Sequence, residues 1–280
     1  MFDSLHQSIS GEAYQLIAEK VYEHSRIRLG PDKQALVAGR LGKRLRQLGL
    51  DSFEAYCEFL EGQRGAQEIG PLVDLISTNH THFFREIQHV DFLRDNILKE
   101  VVPKLVMRGE TFRFWSAACS SGEEPYTVAI VLAEHARTHG SFPWQVEASD
   151  ISSRVLEAAQ RGIYPAERVK LPQPDLLPRY FQKGTGANAG FYRVKDSLKQ
   201  NMKFHRLNLL QANYPVAPIQ HVVFCRNVMI YFDTATQQEL VSKLTNQLAP
   251  GGFFVVGHSE SLLGVKHNLK TLKPGIYQKQ

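Results

Sequence analysis

Apolar residues recur every three to four positions through the first quarter of the chain. Ala13, Leu16, Ile17 and Val21 fall on one helical face, and Leu36, Val37, Leu41, Leu45 and Leu48 repeat the pattern. Phe53, Tyr56, Phe59 and Leu60 predict a third helix, with Asp51 or Ser52 placed to accept its first free N–H groups. Leu72, Val73, Leu75 and Ile76 mark a fourth, and Gly49, Gly62 and Gly65 punctuate the series. Residues 1–78 are expected to form a small helical domain. The segment 79–90, NHTHFFREIQHV, is expected to lead out of it as a linker.

From about residue 110 the period changes to alternating strand and helix. Phe112–Ala118 is an apolar run, followed by the small-residue turn CSSGEEP and a helix through Val128, Ile130, Val131 and Ala133. Trp144–Ser149 reads as a second strand ending in Asp150, and Ser152 or Ser153 caps the helix that follows. Lys203–Leu209 and Val222–Cys225 are the third and fourth strands. A helix from about Thr234 to Leu248 is expected to end at Pro250-Gly251-Gly252, before a fifth strand at Phe253–Gly257. Repeats of this kind make a parallel sheet covered by helices on both faces. Two segments interrupt them. Residues 164–202 hold GTGANAG between two aromatic runs, which predicts a small antiparallel lobe. Pro274-Gly275 near the C-terminus predicts a second hairpin, an ending that nicotinamide-binding sheets do not usually have.

Composition narrows the function. Hydrophobic residues make up 43 % of the 280, enough for a sizeable core, and no apolar run approaches the roughly 20 residues needed to span a bilayer. The N-terminal MFDSLHQSISGEAYQ lacks the basic head and apolar stretch of a secretion signal, so a cytoplasmic protein is expected. Cys57, Cys119 and Cys225 are far apart, which argues against a disulfide framework and a zinc site. The formal charge of +5 is concentrated. Seven basic residues and one acid lie between Arg26 and Arg46, a net +6 that leaves −1 for the rest. A localised acidic partner fits this better than general nucleic-acid affinity. Arg40, Lys43, Arg44 and Arg46 are the candidate contacts; a solvated helix face is the bland alternative.

Candidate chemistry sits at the strand ends, where open parallel sheets bind ligands. The first turn, from Ser116 to Pro125, offers small residues and a helix N-terminus but no Gly-rich fingerprint. Glu123 and Glu124 suit a cationic ligand and disfavour a pyrophosphate. S-adenosylmethionine carries an ammonium and a sulfonium and no phosphate. Asp150, 26 residues beyond Glu124, is placed either to bind ribose hydroxyls or to cap a helix. Asn208 stands at the end of the third strand, and Arg226 and Asn227 at the end of the fourth. No metal ligand set is apparent.

The stretches STNHTHFFRE (77–86), FWSAACSSGEEPYTVAI (114–130), ASDIS (148–152), YFQKGTG (180–186), CRNVMIYFD (225–233) and GGFFVVGHSE (251–260) closely resemble the CheR-type chemotaxis receptor methyltransferases. The resemblance runs in order from the helical domain to the C-terminus. It implies a Rossmann-like α/β methyltransferase domain over 91–280, with the lobe at 164–202 inserted, and S-adenosylmethionine as cofactor. The implied cofactor-pocket residues are Asn79, Thr81, Arg85, Glu124, Asp150, Asn208, Leu209, Arg226 and Asn227. The implied reaction is esterification of glutamate side chains on the methylation helices of chemoreceptors by a monomer. In some members the lobe also docks a receptor C-terminal peptide. Glutamate is already ionised at neutral pH, so no general base is required. Arg85 and, after it, Tyr231 are the candidates to hold the substrate carboxylate. A nicotinamide-dependent oxidoreductase and a non-catalytic nucleic-acid-binding or scaffold protein are the competing readings. The missing fingerprint and Glu123-Glu124 disfavour the first; the polar strand ends disfavour the second.

Overall fold

The computed structural model describes residues 8–280, so the first seven residues of the N-terminal stretch considered above lie outside it. The described residues divide into two compact units, one of residues 8–78 with 231–236 and one of 79–230 with 237–280.

The first unit is helical: α1 Gly11–Ser25, α2 Gln34–Leu48, α3 Phe53–Glu61 and α4 Gly65–Ile76. Its core gathers Ile17, Val21, Val37, Leu41, Tyr56 and Leu72, the positions that the helical period places on one face. Ser10 and Ser52 cap α1 and α3 by accepting from the N–H groups of Ala13 and Ala55. Gly65 opens α4 against the end of α3, where a Cβ would fall 1.7 Å from the Leu60 carbonyl oxygen; only glycine permits that approach.

The second unit opens with α5 Ile87–Phe92, which runs through a π-helical turn, Leu93–Ile97, into α6 Leu98–Arg108. Pro103 and the π turn break the helical period of this segment. A seven-stranded sheet follows. It comprises β1 Phe112–Ser116, β2 Trp144–Asp150, β6 Met202–Arg206, β7 Gln220–Cys225, β8 Leu248–Val256, β9 Leu269–Lys273 and β10 Ile276–Lys279. The strand order is β6-β2-β1-β7-β8-β10-β9. The pairs from β6 to β8 are parallel, and β10 is antiparallel to both β8 and β9. The carboxyl ends of the parallel strands therefore share one edge. Their near-continuous burial, with Phe114, Val146, Val222, Phe224 and Val255 in one core, reflects cover on both faces.

Helix α7, Glu123–His139, follows β1, and α8, Ser153–Arg161, follows β2 with Ser152 as its cap. Helix α11 spans Thr234–Asn246 and stops short of the expected Leu248. Pro250-Gly251-Gly252 does not end that helix. It lies inside β8, where the pairing jumps from Gln220 opposite Leu248 to Val222 opposite Phe253. The proline and a left-handed Gly251 (φ 73°) form the bulge that absorbs the extra residues.

The inserted lobe is a separate sheet of β3 Ile163–Pro165, β4 Phe181–Lys183 and β5 Phe191–Val194, in the order β3-β5-β4 and antiparallel throughout. Two short helices, α9 Leu176–Tyr180 and α10 Asp196–Lys199, flank β4 and β5. No helix among the described residues is long and apolar enough to cross a membrane.

Candidate active site

Segment 79–86 is fastened to the second unit before it reaches the strand ends. Phe83 is buried with edge-on contacts to Tyr164 and Phe181, and the Phe84 N–H donates to Thr127 Oγ1 at 3.0 Å. Phe84 and Glu86 both take left-handed backbone angles (φ 57° and 53°), as do Ser120 after β1 and Asn227 after β7 (49° and 59°). Among the described non-glycine residues only Arg26, at the end of α1, joins them. Such angles cost on the order of 1 kcal/mol each and persist only where surrounding contacts over-determine them.

Those contacts centre on Arg226, whose side chain is 2 % exposed. It donates to Glu124 Oε2 and to Glu86 Oε2, each at 2.9 Å, and to the Arg85 carbonyl at 2.7 Å. Glu124 accepts a further bond from Ser116 Oγ at 2.6 Å, and Glu86 one from Asn227 Nδ2 at 3.1 Å. Burial opposes ionisation of Glu86, but the nearby His89 ring and the Arg226 guanidinium prevail and hold its carboxyl well below the usual range. The cluster of one guanidinium and two carboxylates is formally −1, with Asp150 a further acid at the end of β2. Asp150 accepts from Ser120 N–H at 2.8 Å and from Ser152 N–H at 3.0 Å, so it both braces the first turn and leads into α8. Asn208 lies two residues past the end of β6 and accepts from the Leu210 N–H. Asn79 gives its carbonyl to Ser120 Oγ at 3.0 Å, while its buried Nδ2 finds no partner. A donor held back from the protein in this way fits an acceptor on a ligand.

Several expectations change in detail. Glu123 does not stand beside Glu124 as a second ligand-facing acid. It is fully buried and taken by Ser121 Oγ at 2.7 Å and by Arg168 of the inserted lobe. Burial pushes its carboxyl upward against the pull of those two partners. The cationic-ligand argument therefore rests on Glu124, Glu86 and Asp150. Arg85 is half-buried and donates to the His80 carbonyl at 2.7 Å. Thr81 is half-buried and Leu209 buried. Tyr231 groups with the helical unit, where its carbonyl accepts from Arg28 N–H. In that unit Arg40 and Arg44 are both engaged internally. Arg40 donates to the carbonyls of Ile76 and Ser77 at the end of α4, and Arg44 forms a two-pronged pair with Glu68. Lys43 and Arg46 are exposed.

Residues that the sequence reading left unassigned also belong to the site. Glu86 and Glu260 were inside the quoted stretches STNHTHFFRE and GGFFVVGHSE, but a carboxylate's partner is not legible in one dimension. Glu86, His89 and His258 place donor atoms within 4.8 Å of one another. Glu86 is already committed to a guanidinium there, which disfavours a cation. The three cysteines are buried, and desolvation raises the thiols of Cys119 and Cys225, consistent with inert side chains.

Comparison with known proteins places this geometry. The family described as "CheR methyltransferase, SAM binding domain" matches residues 79–277, and "CheR methyltransferase, all-alpha domain" matches residues 12–77. The chain is 40 % identical to chemotaxis protein methyltransferase 2 of Pseudomonas aeruginosa, over 95 % of this chain and 92 % of that one. It is 37 % identical to the chemotaxis protein methyltransferase of Borreliella burgdorferi, over 99 % and 97 %. With that of Escherichia coli it shares 40 % identity over 91 % and 86 %.

Proposed function

The chain belongs to the CheR methyltransferase family, and from that premise we propose that it esterifies glutamate side chains on the methylation helices of chemoreceptors, in the cytoplasm. It is an S-adenosylmethionine-dependent methyltransferase acting in chemotaxis. The observation that carries the cofactor reading is the buried, formally negative cluster of Arg226, Glu86 and Glu124 at the strand ends, beside the unpartnered Asn79 Nδ2. The residues proposed to hold S-adenosylmethionine are Asn79, Thr81, Arg85, Glu124, Asp150, Asn208, Leu209, Arg226 and Asn227. When bound, the cofactor supplies a methyl carbon activated by its sulfonium.

The protein's share of the chemistry is placement. A glutamate with a pKa near ~4.3 reaches the site as carboxylate, so no group need accept a proton. Arg85 is the proposed partner of that carboxylate, since a guanidinium matches its two oxygens; Tyr231 is the second candidate. Aligning oxygen with methyl is worth a large part of the barrier by orientation alone. Exclusion of water also favours a step that consumes opposite charges. Lys43 and Arg46, the exposed basic residues of α2, are proposed to meet the glutamate-rich receptor helices. The edge strands of the lobe are proposed to dock a receptor C-terminal peptide by strand addition; receptor C-terminal pentapeptides that give no heat in calorimetry would remove that last element.

The deciding experiment uses labelled S-adenosylmethionine and receptor cytoplasmic domains. Label should transfer to the receptor and leave as methanol in mild base, the behaviour of an ester. Base-stable label would mean methylation of nitrogen and would overturn the carboxylate assignment.

A further inference from the structure

Glu260 lies four residues past the end of β8, is 7 % exposed, and forms no ion pair with a described side chain. Its carboxylate is instead filled by backbone. Oε2 accepts from the N–H groups of Asn227 (2.7 Å) and Gly257 (2.6 Å), and Oε1 from those of Met229 (2.8 Å) and Ile230 (3.3 Å). Three of the four donors belong to the turn after β7, the turn that carries Arg226 and Asn227. Burial pushes this carboxyl upward, and the backbone donors pull it back. Packing at the fourth donor is equally close. A Cβ on Gly257 would come within 2.5 Å of Asn227 Nδ2 and 2.8 Å of Glu260 Oε2.

We propose that Glu260 is a positioning residue for methyl transfer: it holds the Asn227–Ile230 backbone so that left-handed Asn227 presents its side chain to Glu86, and through Glu86 to Arg226. The need for a carboxylate follows from the donor count. A glutamine has one acceptor oxygen and an NH₂ group, so it would set donors against two backbone N–H groups. The left-handed angle of Asn227 is strained for a residue with a side chain and needs an outside restraint. A buried anion with N–H groups on both oxygens supplies one.

This inference rests on the reading that Asn227 belongs to the cofactor pocket, and a double-mutant cycle separates the two. Asn227→Ala, Glu260→Gln and the double variant would be compared for S-adenosylhomocysteine affinity by calorimetry, with circular dichroism and thermal melting as controls for folding. The expected result is a loss of ten-fold or more in affinity for each single variant. The double variant should lose little more, because Glu260 acts through Asn227. Turnover at saturating cofactor should fall less than the KM for cofactor rises. If Asn227→Ala binds normally, the pocket reading fails. If Asn227→Ala weakens binding while Glu260→Gln does not, or if the two losses multiply fully, the positioning role fails. Hydrogen exchange on the wild-type protein gives a test that needs no variant to fold. The amides of Asn227, Met229, Ile230 and Gly257 should be protected, although Asn227 and Gly257 lie outside helix and strand and Met229 and Ile230 only open a single 3₁₀ turn. Exchange at unprotected rates would overturn the proposal.

Discussion

At the residue scale, Arg226 shows how a buried charge becomes useful. A guanidinium taken out of water costs several kcal/mol unless its donors are satisfied. Here Glu86, Glu124 and the Arg85 carbonyl satisfy them, and the remaining formal charge is negative. Arg85 and Asp150 are expected to separate in function. Arg85→Ala should lower turnover by on the order of 30- to 1000-fold, the effect of about 2–4 kcal/mol of lost transition-state stabilisation, while cofactor affinity falls less. Asp150→Ala should mainly weaken cofactor binding, since its bond from the Ser120 N–H also holds the first turn. Steady-state kinetics with parallel calorimetry distinguish these outcomes. Near-normal turnover in Arg85→Ala would remove its assigned role. Asp150 was legible as a candidate because an acid at a strand end stands out in one sequence, and Arg85 only through the resemblance carried by STNHTHFFRE. Glu86 was not, because its value comes from an arginine 140 residues away.

At the element scale, α2 divides its basic residues between two tasks. Arg40 satisfies the C-terminal carbonyls of α4, and Arg44 neutralises Glu68, whose side chain is only 4 % exposed and which also accepts from Tyr56 Oη. Sequence spacing put Arg40 and Arg44 one turn apart on one side, but could not show that this side meets α4. Arg44→Ala should therefore destabilise the protein by about 2–4 kcal/mol, the cost of leaving a buried carboxylate alone, discounted for the partial exposure of the arginine. Urea denaturation measures it, and a change below half a kcal/mol would contradict the geometry. Lys43→Glu with Arg46→Glu is the cleaner probe of receptor binding, because both side chains are exposed. It should raise the KM for receptor several-fold at low salt and reduce the salt dependence, with cofactor affinity unchanged. Unchanged receptor kinetics would make α2 an ordinary solvated face.

At the scale of the whole molecule, the inserted lobe is bound to the methyltransferase sheet through α7. Glu134 accepts from Tyr180 Oη and from Arg179, both at 2.6 Å, and from Arg137. Burial works against its ionisation, yet these bonds prevail and bring the carboxyl down to about 2. The folded pKa lies below the unfolded value of ~4.3, so this stabilisation is fully present above that pH and is lost as pH falls through about 2. Glu134 is 23 % exposed, which reduces the expected contribution to about 1–2 kcal/mol at neutral pH. Glu134→Gln should show that loss at pH 7 and almost none near pH 2. An equal difference from wild type at both pH values would place the effect in packing instead.

What the sequence determined by itself is whatever depends on near neighbours along the chain. The period of apolar residues produced the four N-terminal helices and the buried strands, and the turn residues GTGANAG and Pro274-Gly275 produced both hairpins. The serine caps at 52 and 152 follow from short side chains reaching N–H groups three residues on. Adjacency along strands also placed Glu124, Asp150, Arg226 and Asn227 at one sheet edge. Tertiary structure alone decided which charges meet. It gave Glu123 to Arg168, Glu86 to Arg226, Arg44 to Glu68 and Glu260 to four backbone amides. It also turned Pro250-Gly251-Gly252 from a helix stop into a strand bulge. The physical reason is range. Helical and strand periods are local, whereas a buried charge takes its partner from whichever distant segment the packed core brings within about 3 Å.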